Sequence, residues 1–304
     1  MPEAGPSGPS CAGGLTCQGK SCCESIVVPG GTFPMGRSMA GTDACPPATT
    51  CLSSEQPEHS VTLSSFALDT FEVTVGRFRR FVNTYTGPPS VGAGAHPLIA
   101  GTGWDATWDA RMPSDAAALR SNLKCSPLET WSDAPAGMES RPISCVSWYD
   151  AFAFCAWDGG WLATEAEWEY AATGGDQNRL YPWGSAAPTP ARAAYECSFD
   201  GAQFCQATDI PPVGSAPTGG GRWGHQDLAG SMWEWTYDAH GIAWYSGGGA
   251  VCTNCANTAR GSDRVIRGGG YDDGAANLRT TYRTAVAPGT SQRDGLGFRC
   301  ARTP

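Results

Sequence analysis

Charge is scarce in this chain of 304 residues: Asp, Glu, Lys and Arg make up only 16% of it. Basic residues are the scarcer sign, 20 against 29 acidic, giving a formal charge of −9. That balance excludes a nucleic-acid binder, which needs a basic face to displace counterions. No apolar run approaches the ~20 residues of a spanning helix, so a membrane span is excluded. Only four histidines occur, His59, His96, His225 and His240, in separate segments. A three-histidine metal centre would consume nearly all of them, so surface or supporting roles are the simpler expectation. There is no G-x-S-x-G, no G-x-x-x-x-G-K-[ST], and no strand leading into a G-x-G-x-x-G helix. A nucleophile elbow and a nucleotide fold are thereby set aside. The opening MPEAGPSGPS carries no apolar signal core, so a mature form with an added Met1 is expected.

What is present in quantity is Gly (40), Pro (23), Trp (12) and Cys (14). Many glycines and prolines with many tryptophans predict short strands, long loops and an aromatic core, an α+β fold of low regular content. Fourteen scattered cysteines imply disulfides and an oxidising compartment, hence a secreted or periplasmic protein. Cys252-x-x-Cys255 has no second pair or neighbouring histidine for zinc, and no histidine follows Cys255 for haem attachment. The two are read as disulfide partners, of each other or of Cys197 and Cys205.

Residues 1–24 read as a Cys/Pro/Gly-rich, disulfide-tied tail or linker, and 25–304 as one domain with an insertion at 88–140. Strands are expected on either side of Pro29-Gly30-Gly31, and a strand pair over Glu58–Leu63 and Phe66–Asp69. Residues 38–57 form a loop closed by Cys45 and Cys51. Helices are expected from Thr74, over 146–158, and from the capping box Thr164-Glu165-Ala166-Glu167 to the stop at Gly174-Gly175. Glu165 and Glu169, four apart, read as a solvated helix face. Asp227 and Glu234 flank Gly230 with backbone carbonyls between them, an oxygen set of the kind calcium takes. Arg267-Gly268-Gly269-Gly270-Tyr271 allows close backbone approach.

The order of these segments resembles the formylglycine-generating enzyme, or sulfatase-modifying-factor, family. The segments are Pro29–Gly36, Phe71-Glu72-Val73-Thr74, Arg141-Pro142-Ile143 to Trp148, and Leu162–Ala171. Tyr181-Pro182-Trp183-Gly184, Asp227–Trp235, Arg264–Tyr271 and Gly295–Cys300 complete the series, which covers about residues 26–302. The resemblance implies a variant of the C-type-lectin-like fold, often calcium-bound. It implies structural calcium on the Asp227 and Glu234 side chains and the Gly230 and Met232 carbonyls. A second family calcium site would fall near Tyr195–Asp209, where Cys197 and Cys205 reshape the stretch. The resemblance also implies a disulfide between Cys155 and Cys300.

The family's naming enzyme oxidises a sulfatase cysteine with copper held by two thiolates five residues apart. The positions matching those thiolates are Asp273 and Leu278, and the motif serine matches Gly270. A carboxylate and a leucine cannot make a bis-thiolate site. Copper is therefore not expected as a cofactor. Asp272 and Asp273 could anchor another metal, but a hydrogen-bonded loop role is the simpler expectation. The function expected is recognition of a peptide, protein or glycan in the family cleft. The alternative is an oxidoreductase of the family acting on a protein or peptide through a different metal site.

Overall fold

The computed structural model describes residues 3–4, 8–41, 44–45, 51–202, 204–290 and 293–304. Residues 1–2 and 5–7 of the expected tail, and 42–43 and 46–50 of the expected Cys45–Cys51 loop, lie outside the described residues.

Four helices carry local signals strong enough to set their ends. α1 (Val75–Thr84) begins where Thr74 accepts the Arg77 N–H. α2 (Ala116–Asn122) is capped by Asp115. α3 (Trp148–Trp157) and α4 (Glu165–Thr173) each start in a capping box, Ser147/Asp150 and Thr164/Glu167. α4 ends at Gly174 in the left-handed conformation. α2 lies inside the segment expected to be an irregular insertion; its seven residues hold too little periodicity to stand out.

The strands form four sheets. A five-stranded antiparallel sheet runs 3–4, 25–28, 66–69, 300–302, 161–162. A three-stranded sheet runs 252–253, 59–63, 31–35, and a four-stranded sheet runs 283–286, 264–267, 233–239, 296–298. A small ribbon pairs 16–17 with 20–21. The pairing corrects one expectation. His59–Leu63 pairs with Gly31–Met35, and Phe66–Asp69 with Ser25–Val28, so the two predicted neighbours belong to different sheets. The chain crosses from one sheet to the other at Pro29-Gly30 and back at Ser64-Ser65, two links so close that a Cβ at Gly30 would lie 2.7 Å from the Leu63 carbonyl.

The core is aromatic. Phe78, Phe154 and Phe298 pack together from α1, α3 and the C-terminal region, and Trp104, Trp108, Trp148 and Phe152 form a second stack. Trp104 and Trp108 come from the expected insertion, which therefore contributes to the main core. Fourteen cysteines form seven disulfides, and none is free: 11–23, 17–22, 45–51, 125–145, 155–300, 197–205 and 252–255. Of the described tail residues, 8–24 are disulfide-tied and lie against the body, and 3–4 pair with 25–26. Ser10 is buried, takes a hydrogen bond from Arg77 and donates its N–H to Asp158. Arg77 itself joins Asp69 and Asp158, each at 2.8 Å. No helix among the described residues is long and apolar enough to cross a membrane.

Candidate functional site

The Asp227–Trp235 loop folds back sharply before entering a central strand. Asp227, Gly230 and Ser231 all take left-handed backbone angles, with φ of 57°, 76° and 66°. At Gly230 a side chain is impossible, since a Cβ would lie 2.3 Å from the Ala194 carbonyl. This turn brings Asp227 and Glu234 toward Glu72, which follows the strand at Phe66–Asp69. Glu72 Oε1 accepts the Met232 N–H at 3.0 Å and Oε2 accepts the Ser231 hydroxyl at 3.1 Å. Asp227 Oδ2 accepts the Gly214 N–H at 2.5 Å. Glu234 accepts two bonds of 2.7 Å from Arg299 and one of 3.0 Å from Trp168 Nε1. Arg299 also donates to the carbonyls of Asp69, Thr70 and Gln226.

Three carboxylates thus face one guanidinium, with Glu72, Glu234 and Arg299 fully buried. Burial, then the charges of Asp227 and Glu234, hold the Glu72 carboxyl well above its ordinary range. Burial pushes Asp227 up to about 6. Sequence reasoning missed Glu72 as a member of this group, although an acid between Phe71 and Val73 was the available signal. Excess buried negative charge and hard oxygen donors are the conditions a calcium ion satisfies. Glu234 Oε1 accepts a single N–H and keeps a lone pair for a cation. These donors are of the type calcium takes, but the oxygens of Glu72, Asp227 and Glu234 do not all lie within 4.8 Å of one another. The one set of three potential donors converging within 4.8 Å among the described residues is Cys45, Cys51 and Glu55. Those two sulfurs are bonded to each other, and Glu55 is held by Arg279, Thr281 and the Leu52 N–H.

The Gly268–Leu278 segment is closed by its own hydrogen bonds. Asp273 accepts from Trp233 Nε1, from the Gly270 N–H at 2.9 Å and from Asn277 Nδ2 at 2.6 Å. Leu278 is fully buried with Tyr181, Ala193 and Ala229. A Cβ at Gly270 would stand 3.0 Å from Asp272 Oδ1 and 3.2 Å from Asp273 Oδ2. Both distances are tighter than ordinary contact, so a side chain there would need the carboxylates to shift by a few tenths of an ångström. In the Leu278 cluster Trp183, half-buried, stacks on buried Tyr181 at 5.2 Å, and half-buried Tyr195 packs alongside. Asp272 is exposed, and so is Glu196 next to Tyr195.

Glu165 and Glu169 do not form a solvated face. Both are buried: Glu165 pairs with Arg283 at 2.6 Å, and Glu169 with Arg267 and the Tyr245 hydroxyl. Asp238, beside them, accepts the N–H groups of Glu165 and Asn257. Burial, then the charge of Glu165, raises Asp238 from 3.8 to about 7. A carboxyl raised on folding stabilises most below its unfolded pKa near 4, and that stability is lost as pH climbs to about 7, by on the order of 4 kcal/mol. Asp238→Asn, whatever its absolute cost, should flatten this part of the stability profile. Urea midpoints at pH 5 and pH 8 check it, and an equal pH slope in both proteins would refute the assignment.

Comparison with known proteins agrees over nearly the whole chain. Residues 14–304 match the family model described as the sulfatase-modifying factor enzyme 1-like domain. The chain is 32% identical over 299 residues to the formylglycine-generating enzyme of Streptomyces coelicolor, covering 93% of this chain and 90% of that protein. It is equally 32% identical over 302 residues to the inactive C-alpha-formylglycine-generating enzyme 2 of Bos taurus, covering 91% and 87%. Among solved structures, PvdO from Pseudomonas aeruginosa superposes with a TM-score of 0.62 at 24% identity, covering 92% of this chain and 94% of that one.

Proposed function

The chain belongs to the sulfatase-modifying-factor, or formylglycine-generating enzyme, family and has its variant of the C-type-lectin-like fold, and we propose that it has exchanged the family's copper chemistry for ligand recognition. One observation carries the reading. The two positions matching the family's thiolates are a carboxylate tied up by Trp233, Gly270 and Asn277 and a buried leucine, while every cysteine is consumed in a disulfide. Cu(I) needs soft thiolates, and none is offered. One relative at this level of identity is itself named inactive.

The recognition surface in this reading is centred on half-buried Trp183 and Tyr195, which pack on buried Tyr181 and Leu278, with exposed Glu196 next to Tyr195. Aromatic faces beside a carboxylate suit a peptide or a glycan. Seven disulfides support an oxidising compartment, outside the cell or in a periplasm. The test is incubation with Cu(I), oxygen and a Cys-x-Pro-x-Arg peptide, followed by mass spectrometry. The expected peptide mass is unchanged, and aldehyde formation would overturn the reading. Peptide and glycan arrays probed with the native protein and with Trp183→Ala test the other half. Retention lost in the variant supports it, and no retention by the native protein refutes it.

Calcium belongs to the same proposal. Asp227, Glu72 and Glu234 would hold the ion with the Gly230 and Met232 carbonyls, and its charge would offset the excess of carboxylates over Arg299. An ion bound only to the folded chain adds stability by mass action, about 2.7 kcal/mol at a hundredfold excess over Kd. Chelation should therefore lower the melting temperature by roughly 5 °C. Melting curves identical in chelator and in excess calcium would dismiss the ion.

A further inference from the structure

We propose that the Cys252–Cys255 disulfide is a thiol–disulfide exchange site that oxidises dithiols in exposed apolar polypeptide. Its sequence separation of 3 is the smallest of the seven, against 145 for Cys155–Cys300. The chain entropy a disulfide removes grows with the length it encloses, so this one stabilises the fold least. The turn does not need it. Cys252 and Thr253 pair in register with Val61 and Thr62. Asn254 donates its N–H to the Thr62 carbonyl at 3.0 Å, accepts the Ser64 N–H at 2.8 Å and donates to the Ser64 hydroxyl at 3.0 Å. The strand register and the three hydrogen bonds of Asn254 with Thr62 and Ser64 keep the turn in place whether the sulfurs are bonded or not, so the pair can cycle without unfolding the domain.

The two sulfurs are also unequal. Cys252 is 4% exposed, whereas Cys255 is only half-buried. An exchange site needs this asymmetry, one sulfur open to attack and the other a sheltered leaving and resolving group. Val251, next to Cys252, is 91% exposed, an apolar contact for a non-native substrate segment. In the step, a substrate thiolate attacks Cys255 Sγ and the Cys252–Cys255 bond breaks. Cys252 leaves as a thiolate and takes a proton from solvent. The second substrate thiol, deprotonated, then attacks the mixed disulfide and releases Cys255. The substrate loses two electrons and two protons to become a disulfide, and the cysteine pair gains them. A low-molecular-weight disulfide restores the oxidised pair.

The experiment is anaerobic incubation of the whole protein with a Val- and Leu-rich peptide carrying two cysteines, then acid quench, alkylation and peptide mapping. The expected result is an internally disulfide-bonded peptide, with label at Cys252 and Cys255 about ten-fold ahead of any other pair. Label appearing first elsewhere, or on no cysteine, overturns the proposal. Glutathione reacting as fast as the peptide overturns the substrate preference. A second test uses Cys252→Ser and Cys255→Ser with a peptide carrying an activated mixed disulfide. Cys252→Ser, which leaves the accessible thiol, should trap the adduct about ten-fold faster than Cys255→Ser, and equal rates would refute the assigned roles.

Discussion

Arg299→Gln is expected to cost on the order of 3–5 kcal/mol, because it removes one partner of a buried ion pair and leaves the other charge behind. Three things are lost together. The paired bonds to Glu234, both 2.7 Å, disappear. The carbonyls of Asp69, Thr70 and Gln226 lose their guanidinium donor. Glu72, Asp227 and Glu234 are left without the cation that faces them, and burial already holds Glu72 well above its ordinary range. The double variant Arg299→Gln/Glu234→Gln should recover part of the loss, since it removes the orphaned charge as well as its partner. Excess calcium should narrow the deficit of Arg299→Gln more than it affects the native protein. Urea unfolding with and without calcium measures all of this. A cost below about 1 kcal/mol, the range of surface pairs, would show that the pocket is wetter than its geometry indicates.

The second large effect is expected at Cys155–Cys300. Both residues are fully buried, and their bond ties α3 to the C-terminal strand across a separation of 145 residues. In the chain-entropy account, closing such a loop contributes about 5 kcal/mol, whereas the four-residue ring at Cys252–Cys255 contributes about 2 kcal/mol. Cys155→Ala/Cys300→Ala should therefore destabilise far more than Cys252→Ser/Cys255→Ser. Its denaturant slope should also rise, because the unfolded chain becomes more expanded. Equal losses in the two double variants would contradict the account, and would place the stabilising effect in local packing.

Which features could be read from the sequence follows from how local their causes are. The ends of α1, α3 and α4 are set by side chains within three residues of the cap, as at Thr164 and Glu167, so the sequence announces them. The stop at Gly174 is equally local. The burial of Glu165 and Glu169 is not. Their partners Arg283 and Arg267 lie 118 and 98 residues further along the chain, on strands whose pairing no short pattern records. The same holds for Glu72, whose neighbours Ser231 and Met232 are 159 and 160 residues away. The Asp227–Glu234 loop was legible as a set of oxygen donors. Its third carboxylate and its guanidinium became visible only once the sheets had been assembled. At Gly270 the sequence showed a missing serine, and in the structure the Asp272 and Asp273 carboxylates crowd that position.

In the proposed function this family member offers Cu(I) no thiolate pair. The most direct measurement is an anaerobic Cu(I) titration of the purified native protein against a chromophoric copper chelator. The account predicts that the chelator keeps the copper, before and after addition of the Cys-x-Pro-x-Arg peptide. One Cu(I) per chain withdrawn from the chelator, and returned to it when cysteine thiols are alkylated, would contradict it.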